Sequence, residues 1–471
     1  MKKYKDFKEY VEDVYYDEIF YKLKGLVWSQ KDSFENENFT YVSKVDLYDI
    51  RVCGVTFKEL DTGLLEIRVS VDAEIRVQGK TRYDYEESSD TRTYNVFLVG
   101  ELKDGLHNVK VTKAEEYNPA KYEKGKSLSQ DLVPYMYEEN VEDEAEAFLK
   151  KYYPKALLQP MPVPAVEVAY GMGMDVYYAP LDDSVFGRTY FGNDKVKIYT
   201  DNTLKETTEI MTHPGTMLIN PNVYFMRNVG TANNTIIHEC VHWDRHRKAF
   251  ELQKLLTGRM NYISCEVVDT YEGIPEDSKS IKWMEWQANQ LAPRILMPAK
   301  MTKKVFDNVL KNLYTANPQC RYAELVQETV ERVASYFQVS IFAAKLRLIE
   351  LGYEKVQGTY IYSGGRYLPP FAFRKDAIGK NQTFVIDEGN AVFVMYFNPV
   401  LRQLFWENKI VYANSMVCIN APQYIEANEN GYPILTEYAL EHVDECCFIF
   451  DRKFSASKEY SDTFYRRCFF V

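Results

Sequence analysis

His238-Glu239-Cys240-Val241-His242 sets two imidazoles four residues apart around a carboxylate. On a helix, four residues are about 6 Å of rise and slightly more than one turn, so both rings fall on one face and reach a single metal ion. Glu239 then stands where a general base must stand to act on metal-activated water, the chemistry of peptide hydrolysis at an H-E-x-x-H motif. A catalytic zinc takes three protein ligands and keeps one position open, so a third ligand has to come from elsewhere. Asp244 points to another face, and His246 lies about 12 Å of helix rise from His238, beyond the span of one ion. Lys248 occupies the position of a third metzincin histidine, which removes that arrangement. Glu285, in Trp283-Met284-Glu285-Trp286-Gln287-Ala288-Asn289, is the best-placed carboxylate. One Zn2+ per chain is expected, although His and Glu donors also suit manganese, iron or cobalt.

The elements that must position these residues follow from apolar spacing. Ile236, Ile237, Cys240, Val241, Phe250, Leu252 and Leu255 predict one long helix through TANNTIIHECVHWDRHRKAFELQKLL, and IKWMEWQANQLAPRILM predicts a second. Upstream, AVEVAYGMGMDVYYAP reads as a short helix, a glycine stop and a strand. VFGRTYFGNDKVKIYTD reads as a hairpin turning at Gly192-Asn193-Asp194, and GTMLINPNVY adds a strand. Downstream, ELVQETVERVASYF, a Ser340 cap and IFAAKLRLIELG form a helix-turn-helix at 325–351.

HECVHW followed by EWQANQLAPRILMP, preceded by FGRTYFG and followed by VASYFQVSIFAAKLRLIELGY, resembles the ImmA/IrrE-type zinc metallopeptidases over about residues 145–360. The resemblance implies a gluzincin-like site with His238, His242 and Glu285 on zinc and Glu239 as the catalytic residue. Asn289, four residues after Glu285 and on the same helical face, would accept the N–H of a zinc-binding imidazole. An oxyanion donor is also implied, but 38 tyrosines leave it unassigned. The substrate implied is a protein, such as a repressor-like regulator, in a bacterial-type cytoplasm.

The fold class expected is therefore α+β: a zincin-like core with a helix-turn-helix, a β-rich N-terminal domain and a mixed α/β C-terminal domain. At 471 residues the chain has room for two to four domains. Residues 1–130 form a candidate substrate or partner recognition domain, because VDLYDIRVCGVTF, LLEIRVSVDAEIRV, TRTYNVFLVGEL and NVKVTKAEEY alternate with period two between DTG, ESSD and KDG turns. Residues 145–360 form the peptidase domain. Residues 361–471 form the Cys-containing domain, with TFVIDEGNAVFVMYF its clearest strand and a helix around LTEYALEHVDECC.

A net charge of −11 disfavours nucleic acid, and the apolar residues around Lys345 and Arg347 leave little polar face for base edges. No 18-residue apolar run argues for a membrane span, and eight scattered cysteines without a C-x-x-C pair suit reduced thiols in a cytoplasm. Cys418, His442, Cys446, Cys447 and Cys468 raise a second, structural zinc, against which buried thiols acting as small hydrophobes are the preferred reading. The rival to a peptidase is a non-enzymatic regulatory or binding protein with a structural zinc on the same fold. Oligomeric state is left open.

Overall fold

The computed structural model describes residues 3–35, 39–60, 63–103, 105–118, 128–181, 185–200, 205–221, 229–258, 262–266, 280–379, 382–451, 453–454, 464–465 and 468–469. The chain is mixed α+β and divides into two compact units. One comprises Met1–Glu144, Pro164–Arg227 and Asn234–Ala292; the other comprises Ala145–Val163, Asn228–Asn233 and Pro293–Val471. The segment expected to form a peptidase domain is thus shared between them.

The first unit opens with helices α1 (Phe7–Val14) and α2 (Tyr16–Ser29), which the period-two reading of this region leaves out. Four antiparallel strands follow as a meander: β1 (Tyr41–Glu59), β2 (Leu65–Lys80), β3 (Tyr85–Leu102) and β4 (Leu106–Glu116). Alternation on β2 puts Val69, Val71, Ala73 and Ile75 on one fully buried face, where they pack with Val11, Ile19, Leu23 and Val27 of the two helices. Each Val, Leu or Ile so buried contributes about 1.5–3 kcal/mol. The turn expected at ESSD lies earlier, at Thr81–Asp84, where the Thr81 amide bonds the Asp84 carbonyl and the Thr81 hydroxyl accepts the Asp84 amide. ESSD itself continues β3, paired with β2 from Gln78 to Ile75.

The acidic run begins α3 (Val141–Tyr152), with Glu142, Asp143 and Glu144 in the first turn, where the helix dipole favours them. Then come α4 (Lys155–Leu158), α5 (Ala165–Gly171), a left-handed Gly173 and β5 (Asp175–Tyr178). The strands β6 (Val185–Tyr190), β7 (Asp194–Tyr199), β8 (Thr207–Thr212) and β9 (Thr216–Ile219) follow. The hairpin expected between β6 and β7 does not form. β6 has both edges occupied, by β9 and by β10 (Tyr262–Glu266), so β7 pairs instead with β8. The resulting mixed sheet has the order β10-β6-β9-β5, with β5 and β9 parallel.

The long helix expected across 231–256 is two helices, α6 (Val229–Arg245) and α7 (Arg247–Thr257), broken at His246. Leu252 and Leu256 of α7 join the core of the meander. The second expected helix is α8 (Ser280–Leu296).

In the second unit, α9 (Ala299–Ala316) precedes the helix-turn-helix, which is α10 (Tyr322–Phe337) and α11 (Ile341–Glu350), with the Ser340 hydroxyl accepting the Ala343 amide. Both basic residues considered for DNA are engaged internally: Arg347 is buried and donates to the Met297 carbonyl, and Lys345 donates to the Thr359 carbonyl. The stretch expected as the clearest C-terminal strand is mostly helical, forming α12 (Glu388–Phe397) and α13 (Pro399–Trp406). Asp387 caps α12 by accepting the Asn390 amide, and Asn398 caps α13 ahead of Pro399. These local signals override the β preference of the Val and Phe residues between them. The helix expected around LTEYALEHVDECC is two short ones, Glu437–Glu441 and Val443–Cys446, broken at His442. Among the described residues, no helix is long and apolar enough to cross a membrane.

Candidate metal centre

α6 and α8 bring the predicted ligands together. The Nε2 atoms of His238 and His242 are 3.0 Å apart, and the Glu285 carboxylate stands 3.3 Å from each, Oε2 toward His238 and Oε1 toward His242. A tetrahedral ion with ligands about 2.0–2.1 Å away has ligand-to-ligand edges of about 3.3–3.4 Å. Whichever carboxylate oxygen is taken, the His238–His242 edge and one His–Glu285 edge are close to what such an ion requires, and with one atom from each residue the three lie within 4.8 Å of one another. Among the described residues this is the one group of three or more His, Cys, Asp and Glu side chains that converges in this way. The donor set also fits electrostatically, since two neutral rings and one carboxylate leave a divalent cation partly uncompensated and so attractive to water.

Glu239 is fully buried beside this cluster. Burial raises its pKa above the ordinary carboxylate range, opposed first by His242 and His238, and both of its carboxylate oxygens are buried without a hydrogen-bond partner among the described residues. Room for its carboxylate depends on Gly187 of β6, where an added Cβ would lie 2.7 Å from the Thr235 methyl and 3.3 Å from Glu239 Oε1. Burial acts on Glu285 in the raising direction too, but the positive charge and N–H donors of the two facing rings in their protonated, metal-free form outweigh it and hold the carboxylate well below its usual range.

The support behind the ligands differs from the expectation. Asn289 makes no hydrogen bond to either imidazole. Instead, His242 Nδ1 is 2.8 Å from His246 Nδ1, His246 Nε2 is 3.1 Å from Gln287 Oε1, and Gln287 Nε2 donates to the Pro134 carbonyl over 2.6 Å. Because a carbonyl only accepts, the Gln287 amide nitrogen must face Pro134 and its oxygen must face His246. His246 then carries its proton on Nε2 and accepts at Nδ1, so His242 donates from Nδ1 and keeps the Nε2 lone pair for a metal. Burial lowers the His246 pKa far below the ordinary value, which keeps that ring neutral as the chain of donors requires. Arg245 reinforces the relay by donating to Gln287 Oε1 at 3.3 Å while pairing with Glu144 at 2.7 Å.

His246 and Gln287 are thus the positioning residues that the sequence reading overlooked. Their signal was available: His238, His242 and His246 repeat every four residues on one helical face, and Gln287 is two residues from Glu285. The break after Arg245 does not spoil the repeat, because the His246 amide still bonds the His242 carbonyl at 2.9 Å. A cavity of about 290 Å3 is lined in part by Gln287, Trp283 and Tyr135. Phe191, stacked on Phe250 with ring centroids 4.0 Å apart, and Trp243, donating to the Met172 carbonyl, fix the α6–α7 corner.

The C-terminal thiols assemble differently. Cys418 and Cys447 lie with their sulfurs 3.3 Å apart, and Cys446 and Cys447 with theirs 3.6 Å apart, all three buried. His442 is turned away, its Nδ1 on the Tyr438 carbonyl at 2.9 Å. The Cys468 side chain lies outside the described residues.

Searches against protein-family models and curated proteins find no match to this chain.

Proposed function

We propose that this chain is a zinc-dependent endopeptidase of the ImmA/IrrE type, with a zincin-like core, that cleaves a protein substrate such as a regulatory protein. The observation that carries the reading is the convergence of His238, His242 and Glu285 with a buried Glu239 beside them. A divalent metal held by the three ligands would supply Lewis acidity toward a scissile carbonyl and toward water. Glu239, whose pKa its burial raises, takes a proton from the attacking water and returns it to the leaving amine. His246 and Gln287 keep His242 in one tautomer and one orientation while this happens. The N-terminal meander and its helices serve substrate or partner recognition.

Glu239→Gln tests the reading because it keeps the ligands and the side-chain shape while removing the base. Incubated with a defined peptide library and zinc, the wild-type chain should cleave and the variant should be slower by about 10²–10⁴-fold with its metal content unchanged. Equal cleavage by both, or cleavage by neither, would move the metal to a structural role and the chain to a regulatory binding protein.

A further inference from the structure

Helix α12 is apolar around its circumference. Ala391, Val394 and Met395 pack into the local core with Ile386, Phe448 and Phe450. The other side carries Val392, Phe393, Tyr396 and Phe397, all more than half exposed. α13 repeats the arrangement, with Leu401 and Leu404 inward and Val400, Phe405 and Trp406 outward. The outward rings of α12 are contiguous: Phe393 and Phe397 rings are 4.6 Å apart and Tyr396 and Phe397 rings 5.1 Å apart. Arg402 joins the two helices, donating to the Tyr396 carbonyl and lying 5.6 Å from the Trp406 ring centre. A helix apolar on all sides belongs in an interior, so this face calls for a second cover.

We propose that the exposed face of α12 and α13 is the contact between two copies of this chain in a two-fold homodimer. The area agrees: five aromatic and two valine side chains, exposed by 44% to 76%, present roughly 800 Å². That is what one partner contributes to a standard stable interface, and it exceeds the roughly 300–600 Å² of the largest patch on a typical monomer. Composition agrees as well. From Ala391 to Trp406 the only charged residue is Arg402, whose guanidinium is already engaged within the patch. Such depletion of charge marks homodimer interfaces, whereas transient partners meet across surfaces about as polar as the rest of a protein. A two-fold axis also lets the Phe393–Phe397 stripe meet its own reverse, as an isologous contact requires. The rim opposes an anionic bilayer, because Asp387, Glu388 and Glu407 border the patch and Lys409 is paired with Glu407 at 2.6 Å.

Sedimentation velocity of the full chain at about 10 to 100 μM should give twice 55.1 kDa. Phe397→Asp combined with Trp406→Asp should return it to 55.1 kDa with an unchanged far-ultraviolet spectrum. Trp28→Asp, at an equally exposed aromatic on α2, should leave the dimer intact. A wild-type monomer throughout that range, or a dimer that survives the double substitution, would overturn the proposal. So would a monomer that co-sediments with phosphatidylcholine–phosphatidylserine vesicles, which would assign the face to a lipid surface.

Discussion

Two regions gather side chains that bind metals, and only one of them is shaped to do so. In the α6–α8 site, two imidazole nitrogens 3.0 Å apart face the two oxygens of one carboxylate at 3.3 Å each, and a hydrogen-bond relay behind them fixes the tautomer. In the C-terminal unit, Cys447 lies 3.3 Å from Cys418 and 3.6 Å from Cys446, yet the thiols direct their bonds to one another and to the His442 and Val443 carbonyls. They sit in an apolar cluster with Phe371, Phe384 and Val443, and no described carboxylate or imidazole completes them. Proximity of the right residue types is therefore insufficient. What separates the regions is whether lone pairs converge and whether a second layer of donors holds them there.

The largest expected effect tests this contrast directly. Elemental analysis of the purified chain should find close to one divalent metal, lost in His242→Ala and retained in a Cys418→Ala, Cys447→Ala double variant. Metal that survives His242→Ala but leaves with the cysteines would reverse the two roles. The next effect concerns the relay. His246→Ala leaves all three ligands in place and removes the acceptor for His242 Nδ1, so zinc affinity by chelator competition should fall about 10- to 100-fold. Asn289→Ala, changing a residue without a hydrogen bond to either ring, should leave affinity within a factor of two or so of wild type. If instead the asparagine mattered and the histidine did not, the geometry behind His242 would be misassigned.

A third effect is read as stability. Gly187→Ala puts a methyl group against the side chains of Thr235, Glu239 and Ile219 where α6 approaches β6, all three of them buried. Overpacking of this kind costs about 1–3 kcal/mol, visible as a lower denaturation midpoint. The same change at Gly54, which has nothing within 4 Å, should cost far less. Equal losses at the two positions would mean that the close approach of helix to strand contributes nothing.

The parts of this architecture that were legible in the sequence are those written in a single local period. Period-two alternation marks β1 to β4, strictly along β2 and with bulges in β1 and β4, and the four-residue step marks His238 and His242. A carboxylate in a separate amphipathic helix marks Glu285. The unread parts depend on partners distant in sequence. That β6 is enclosed by β9 and β10, and so refuses β7, cannot be seen from a hairpin-like turn at Gly192. AVFVMYF has the same composition whether it becomes a buried strand or a helix with two apolar faces, and the deciding residues, Asp387 and Asn398, flank it. Asn289 had suitable spacing, but the helix presents Gln287 to the relay instead, a choice set by Pro134 more than 150 residues away.

The smallest expected effect belongs to the thiols and concerns pH. Hydrogen bonds with Cys418 and Cys446, together with burial, push the Cys447 thiol well above its ordinary range. A folded-state pKa above the unfolded value means that the unfolded chain gives up its proton first as pH rises. The stabilisation is therefore complete below the unfolded pKa of about 8.5 and is lost as pH climbs from there toward the folded value. At pH 9 one such thiol should cost about 0.8 kcal/mol relative to pH 7 by this linkage. Urea titrations at both pH values should show that loss in the wild type and a loss smaller by that amount in Cys447→Ala, since other alkaline groups contribute equally to both. An identical pH dependence would mean that the Cys447 thiol titrates alike in the folded and unfolded chains. A metal-thiolate site would give the opposite sign, because a cation favours the ionised sulfur and holds its pKa below the unfolded value. The sign of this small difference is thus a further way to tell the two clusters apart.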